Sequence, residues 1–141
     1  MRVNELMSRD VEFVVATDTV QEAASLMGEI DVGALPVGTP ERPEGVITSR
    51  DLVFRVCARG LDPAQTLVRE VMSSSVHACR EDDDVSAALD LMAAFHVRRL
   101  FVKSDEGVVV GWVTLSDLAR RLLVDSELVQ RGLDDLTRST S

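Results

Sequence analysis

The sequence predicts an α/β (α+β) protein in which two β-α-β-β-α repeats, related by a pseudo-twofold axis, close into one compact body. Three observations carry this expectation. Residues 3–37 recur without a gap at 68–102, so that VNELMS returns as VREVMS. At the same offset Val11, Asp18, Val20, Ala23, Leu26, Met27, Val32, Leu35 and Val37 fall on Val76, Asp83, Val85, Ala88, Leu91, Met92, Val97, Leu100 and Val102. After one inserted residue, GVITSRDL at 45–52 meets GWVTLSDL at 111–118. Within each copy the apolar residues alternate between strand and helix spacing. A half of about 65 residues would be marginal alone, so the two copies are expected to share one core.

Each copy opens with a β-type run, VEFVVA at 11–16 and VHACR at 76–80. A helix follows. Thr19 with Glu22 makes a capping box, and Val20, Ala23, Ala24 and Met27 form its apolar face. Asp84 caps the second copy, with Val85, Ala88, Leu89 and Met92 inward. Next come the strands GALPV at 33–37 and RRLFV at 98–102, a polar turn, and a third strand, EGVIT or VVGWVT. A closing helix begins at SRDLVFRV or LSDLARRL. RGLDP at 59–63 is a helix stop and turn, with Gly near the C-cap and Pro after it. The first repeat is therefore placed at 1–60, the connector at 53–67 includes its closing helix, the second repeat occupies 68–124, and a short helix with a polar tail covers 125–141.

The formal charge of −9 argues against binding a nucleic-acid polymer, because such binding draws its energy from neutralised phosphates. Any anionic ligand must meet cations placed locally. No segment reaches the roughly 18 continuous apolar residues of a membrane span, and the N-terminus lacks a signal-peptide run, so a cytoplasmic protein with no membrane partner is expected. Cys57 and Cys79 are isolated, and His77 and His96 have no metal-ligand spacing, so no metal is expected.

DVGALPV and HVRRLFV follow the first helix of each copy, and GVITSRD and GWVTLSD stand at the strand-to-helix turns. In these motifs, their order and their duplication, the chain resembles a tandem pair of cystathionine-β-synthase-type (CBS) domains, a Bateman module. In DVGALPV, TSRDLVFRV and RGLDP it resembles small stand-alone members that carry no catalytic or channel domain, and the resemblance spans nearly the whole chain. It implies a regulatory module that senses an adenine nucleotide or adenosyl compound, with AMP, ADP, ATP and S-adenosylmethionine as ligands and no required cofactor.

The turns have a chemistry that suits this. Thr48 ends a strand and Asp51 lies three residues on, in a first helical turn where free N–H groups and the helix dipole favour phosphate. The family assigns such an Asp to the ribose hydroxyls. Thr114 and Asp117 repeat the arrangement. T-x-x-D is also a common helix-capping pair, and that alternative stays open. The family's pockets are composite, which implies that Asp51 faces Val76, His77, Val97, Arg98 and Arg99, while Thr114 and Asp117 face Val11, Glu12, Val32, Gly33 and Ala34. Val11, Val32, Val76 and Val97 occupy regular core positions and would also serve an adenine slot. The two pockets differ: Arg98 and Arg99 stand where the other has Gly33 and Ala34, and Arg50 stands where the other has Ser116. Arginine's planar fork suits phosphate oxygens, so the Asp51 pocket is expected to prefer phosphorylated ligands. Arg98 and Arg99 could instead solvate a strand edge or pair with the acidic stretch from Glu81 to Asp84.

Three functions of different class follow. The first is the nucleotide-sensing module, acting on an unknown regulated protein. The alternative is a ligand-free CBS-fold interaction or scaffold protein. An enzyme is disfavoured, because the sequence offers no Ser-His-Asp set, activated Cys or P-loop. Leu52, Val53, Val56, Leu118 and Leu122 exceed what one small domain is expected to bury, which points to a homodimer through the closing helices.

Overall fold

The computed structural model describes residues 1–125 together with 131, 132 and 134. The short helix and tail expected at 125–141 fall almost wholly outside these residues. The first copy contains α1 (Val20–Ile30), β1 (Ala34–Gly38), β2 (Pro43–Thr48) and α2 (Ser49–Asp51), which runs on as a π-helical stretch, Leu52–Cys57. The second begins with the short α3 (Val68–Val71) and continues as β3 (Ala78–Arg80), α4 (Val85–Phe95), β4 (Arg99–Lys103), β5 (Val109–Thr114) and α5 (Leu115–Asp125).

The two copies form corresponding small sheets. β1 pairs antiparallel with β2, Leu35 opposite Ile47. β4 pairs antiparallel with β5, Leu100 opposite Val113, and β3 lies parallel to β4 with Cys79 opposite Val102. The expected first strand at 11–16 shrinks to a single parallel bridge between Val14 and Val37. This bridge is the repeat equivalent of Cys79 opposite Val102, so the topology survives where the strand does not.

Both first helices start and stop for local reasons. Thr19 Oγ1 accepts the N–H of Glu22 at 3.1 Å, and Asp84 accepts the N–H of Ser86 at 3.0 Å. Each helix ends on a left-handed residue, Asp31 at φ 56° and His96 at φ 54°. The buried faces are Val20, Ala23 and Met27 in α1 and Val85, Ala88 and Met92 in α4. Burying each Val or Met there contributes about 1.5–3 kcal/mol. Ala24, expected inward, is exposed.

The cores are completed by exchange. Val3 and Met7, at the start of the chain, are buried with Cys79, Ala88, Leu100, Val113 and Leu118 of the second copy. Val68 and Val71, at the start of the second copy, are buried with Val20, Leu35, Ile47 and Val56 of the first. The backbone bonds match under the repeat. The N–H of Val3 donates to the carbonyl of Asp83 at 2.9 Å, and that of Val68 to Asp18 at 2.8 Å. Ser8 pairs in both directions with Trp112, and Ser73 does so with Val46. Each exchanged backbone runs past a glycine. A Cβ at Gly111 would meet the carbonyl oxygen of Ser8 at 2.5 Å, and one at Gly45 would overlap that of Ser73.

Two residues expected on an exposed helix face belong to these cores. Leu118 and Val56 are buried and Leu52 is half-buried against the core, while Val53, Phe54, Leu115, Leu122 and Leu123 remain exposed on the closing helices. The widened turn of the π stretch, where the N–H of Ala58 reaches the carbonyl of Val53 at 2.9 Å, keeps Val56 inward and Val53 and Phe54 outward. Among the described residues no helix is long and apolar enough to cross a membrane.

Candidate functional site

Two clefts related by the pseudo-twofold are bordered by residues of both copies. The first, about 480 Å³, is lined by Gly33, Val46, Thr48, Ser49 and Arg50 of the first copy and by Ser73, Ser75, His77, Val97, Arg98 and Arg99 of the second. Thr48 is the hinge of the first wall: it has extended backbone at the end of β2 and caps α2. Arg98 and Arg99 are delivered by the turn from α4 into β4, and His77 by the segment before β3. Three arginines therefore border this cleft, with no carboxylate in its lining.

The second cleft, about 420 Å³, reverses the charge. Its walls are Ser8, Asp10 and Glu12 of the exchanged N-terminal stretch, Ile30, Val32, Ala34, Leu35 and Pro36, and Trp112 from β5. Glu12 occupies the repeat position of His77, Asp10 that of Ser75, and Ala34 that of Arg99. The lining contains two carboxylates and no cationic side chain, which repels a phosphate and favours a neutral or positively charged ligand.

The cations of the first cleft are held unequally. Arg50 lies over the Phe54 ring, 5.2 Å from its centroid. Arg99 is half-buried with its guanidinium carbon 4.8 Å over Trp112, and its buried Nε has no hydrogen-bond acceptor. Desolvation lowers the Arg99 pKa, and the charge of Asp117 acts in the opposite direction. His77 stacks on Phe95 with ring centroids 4.3 Å apart.

The two T-x-x-D turns also differ. Asp51 Oδ2 accepts the N–H and hydroxyl of Thr48 at 2.9 and 3.1 Å, while the N–H of Asp51 donates to Thr48 Oγ1 at 3.2 Å. Arg55 Nε stands 3.7 Å from the other carboxylate oxygen. At the second turn the N–H of Asp117 donates to Thr114 Oγ1 at 3.1 Å. Asp117 itself borders a surface hollow with Leu6, Arg120 and Arg121.

Of the residues singled out in the sequence, Thr48, Arg50, His77, Val97, Arg98 and Arg99 come together at the arginine-lined cleft. Glu12, Val32 and Ala34 come together at the acid-lined one. Gly33, expected beside Ala34, borders the arginine-lined cleft, because successive residues entering a strand face opposite sides. Asp51, Val76, Val11, Thr114, Ser116 and Asp117 are outside the immediate lining of either cleft. None of Val11, Val32, Val76 and Val97 is a buried core residue as expected; Val32 and Val97 keep apolar surface for the clefts. Ser8, Asp10, Ser73, Ser75 and Trp112 were not foreseen as wall residues. The thiols lie elsewhere: Cys57 is exposed, and burial followed by the charge of Asp83 pushes Cys79 up to about 11.

A family model for the CBS domain matches residues 3–57 and again 68–124. The chain belongs to the CBS-domain family and carries two copies of the domain. It is 37% identical over 117 residues to an uncharacterized protein of Methanopyrus kandleri, across 82% of this chain and 60% of that protein. It therefore spans less than two thirds of that relative. It is 40% identical over 117 residues to the CBS domain-containing protein YhcV of Bacillus subtilis, across 83% of this chain and 82% of that one. Among solved structures it is similar to Hypoxic Response Protein I with two coordinated zinc ions, at 33% identity and TM-score 0.70, over 85% of this chain and 98% of that one. It is also similar to a CBS domain protein from Pyrobaculum aerophilum complexed with AMP, at 25% identity and TM-score 0.71, over 96% and 99%.

Proposed function

We propose that this CBS pair is a non-catalytic regulatory module that binds an adenine nucleotide in the arginine-lined cleft and acts as a homodimer on a protein it regulates. The observation that carries this is that Arg50, Arg98 and Arg99 border one composite cleft together with Thr48, with no carboxylate in its lining. Phosphate oxygens would meet the guanidinium groups, and the adenosine part would lie along Val46 and Val97 with Asp51 reached by the ribose. The AMP complex of the Pyrobaculum aerophilum relative supports the ligand class. The acid-lined cleft selects by the opposite sign, so of the four ligands S-adenosylmethionine, with its positive sulfonium, is the one matched to Asp10, Glu12 and Trp112. Val53, Phe54, Leu122 and Leu123, exposed on the closing helices, supply the dimer surface.

A second reading, a ligand-free scaffold, is favoured by the Asp51 carboxylate, which is already engaged with Thr48 and close to Arg55. Calorimetry with AMP, ADP, ATP and S-adenosylmethionine separates the two. The sensor reading expects saturable heat with AMP that weakens as salt is added. No heat with any of the four leaves the scaffold.

A further inference from the structure

We infer that Arg99 exchanges the Trp112 ring for a phosphate that enters the arginine-lined cleft, and so transmits the occupancy of that cleft to the wall of the acid-lined one. The inference rests on the proposed binding of phosphate beside Arg98 and Arg99.

Arg99 and Trp112 are in contact yet border different clefts. The guanidinium has a poor set of partners where it lies. Its Nε is buried without an acceptor, and the ring 4.8 Å from its central carbon is its main local attraction beside the field of Asp117. A cation–π contact at a partly exposed site is weaker than the charge-assisted hydrogen bonds that a phosphate offers. An anion that brings an acceptor to Nε therefore competes successfully for the side chain.

Trp112 can register the loss because its backbone is fixed. Its N–H and carbonyl both pair with Ser8, and Ser8 is itself part of the acid-lined wall. Its ring also stacks on Phe101 at 6.2 Å. Departure of Arg99 uncovers one face of the ring without moving the strand. The first copy has Ala34 and Val46 at the equivalent positions and cannot make this contact, so the repeat supplies no second link of this kind, and the coupling through Arg99 is reciprocal between the two clefts.

Trp112 is the single tryptophan of the chain, so its emission reports the surroundings of this one ring, and the Arg99 variants assign the change to the Arg99 contact. The test titrates AMP, and separately inorganic pyrophosphate, while heat and tryptophan emission are followed in parallel. Emission should change and saturate at the midpoint of the heat. Arg98→Ala, which leaves the Trp112 contact in place, should weaken binding and keep the emission change at saturation. Arg99→Gln should abolish that change. The same Arg99→Gln protein, with no cation over the ring, should start from the emission of liganded wild type before any ligand is added. Heat with unaltered emission, a change that survives in Arg99→Gln, or an Arg99→Gln protein that starts from unliganded wild-type emission overturns the switch and leaves nucleotide binding standing. No heat from either anion overturns both.

Discussion

Thr48 and Asp51 hold each other in a closed ring of hydrogen bonds, with Asp51 Oδ2 accepting both the N–H and the hydroxyl of Thr48 and returning its own N–H to Thr48 Oγ1. The same ring sets the start of α2, so the residue proposed for ribose also caps the helix. A ligand that uses Asp51 does so through the oxygen on the Arg55 side.

Asp51→Ala is expected to abolish AMP binding at the arginine-lined cleft while costing about 1 kcal/mol of stability, the usual scale of a lost cap. Asp117→Ala should leave that binding in place, since Asp117 lies in a different hollow. Calorimetry and thermal melts on both variants decide it. Unchanged AMP affinity in Asp51→Ala would remove the ribose role.

Replacing Arg98 and Arg99 together by Ala should erase most of the preference for AMP over adenosine, about 1.5–3 kcal/mol for charge-assisted bonds. Adenosine affinity should hardly move. An equal loss for both ligands would instead mean that the arginines support β4, and no loss for either that neither arginine meets the ligand.

Gly45→Ala and Gly111→Ala should each destabilise the protein by about 1–3 kcal/mol or more, because the added methyl meets a backbone carbonyl that is fixed by pairing with the opposite strand. Gly28→Ala, with open space around its Cβ, is the control and should be neutral or stabilising. Denaturant midpoints that move equally in all three would contradict the close-approach argument.

Phe54→Arg or Leu123→Arg should convert the proposed dimer to monomers at little cost in stability, since both side chains are exposed. Leu118→Arg should unfold the chain, because it would bury an unpaired charge. Light scattering reads the first effect and circular dichroism the second. A wild-type monomer at tens of micromolar refutes the dimer.

The repeat made the element order and the first-helix faces legible, because Val20, Ala23 and Met27 return as Val85, Ala88 and Met92 at the same spacing. The closing helices were harder to read. Leu118 and Leu122 are one turn apart on the same helix, and only the packing shows that the first is buried while the second is exposed. The exchange of segments was hidden for a different reason: VNELMS and VREVMS are so alike that either could complete either core. With that exchange unseen, Ser8 and Asp10 could not be assigned to a wall, and the acid character of the second cleft showed only in Glu12. Arg99 was foreseen as a phosphate ligand from its charge, but its hold on Trp112 depends on strand register, which sequence spacing does not reveal.

The reciprocal insertion of Val3 and Val68 means that the tandem chain is organised as a swapped dimer of half-molecules joined by a tether. In two separate halves the same contacts would form and dissolve with concentration. Residues 58–67 make the encounter intramolecular, so dilution cannot part the halves and neither can lose its core while the other keeps one. A protease cut within that stretch would sever the chain yet leave each fragment gripping the other's interior.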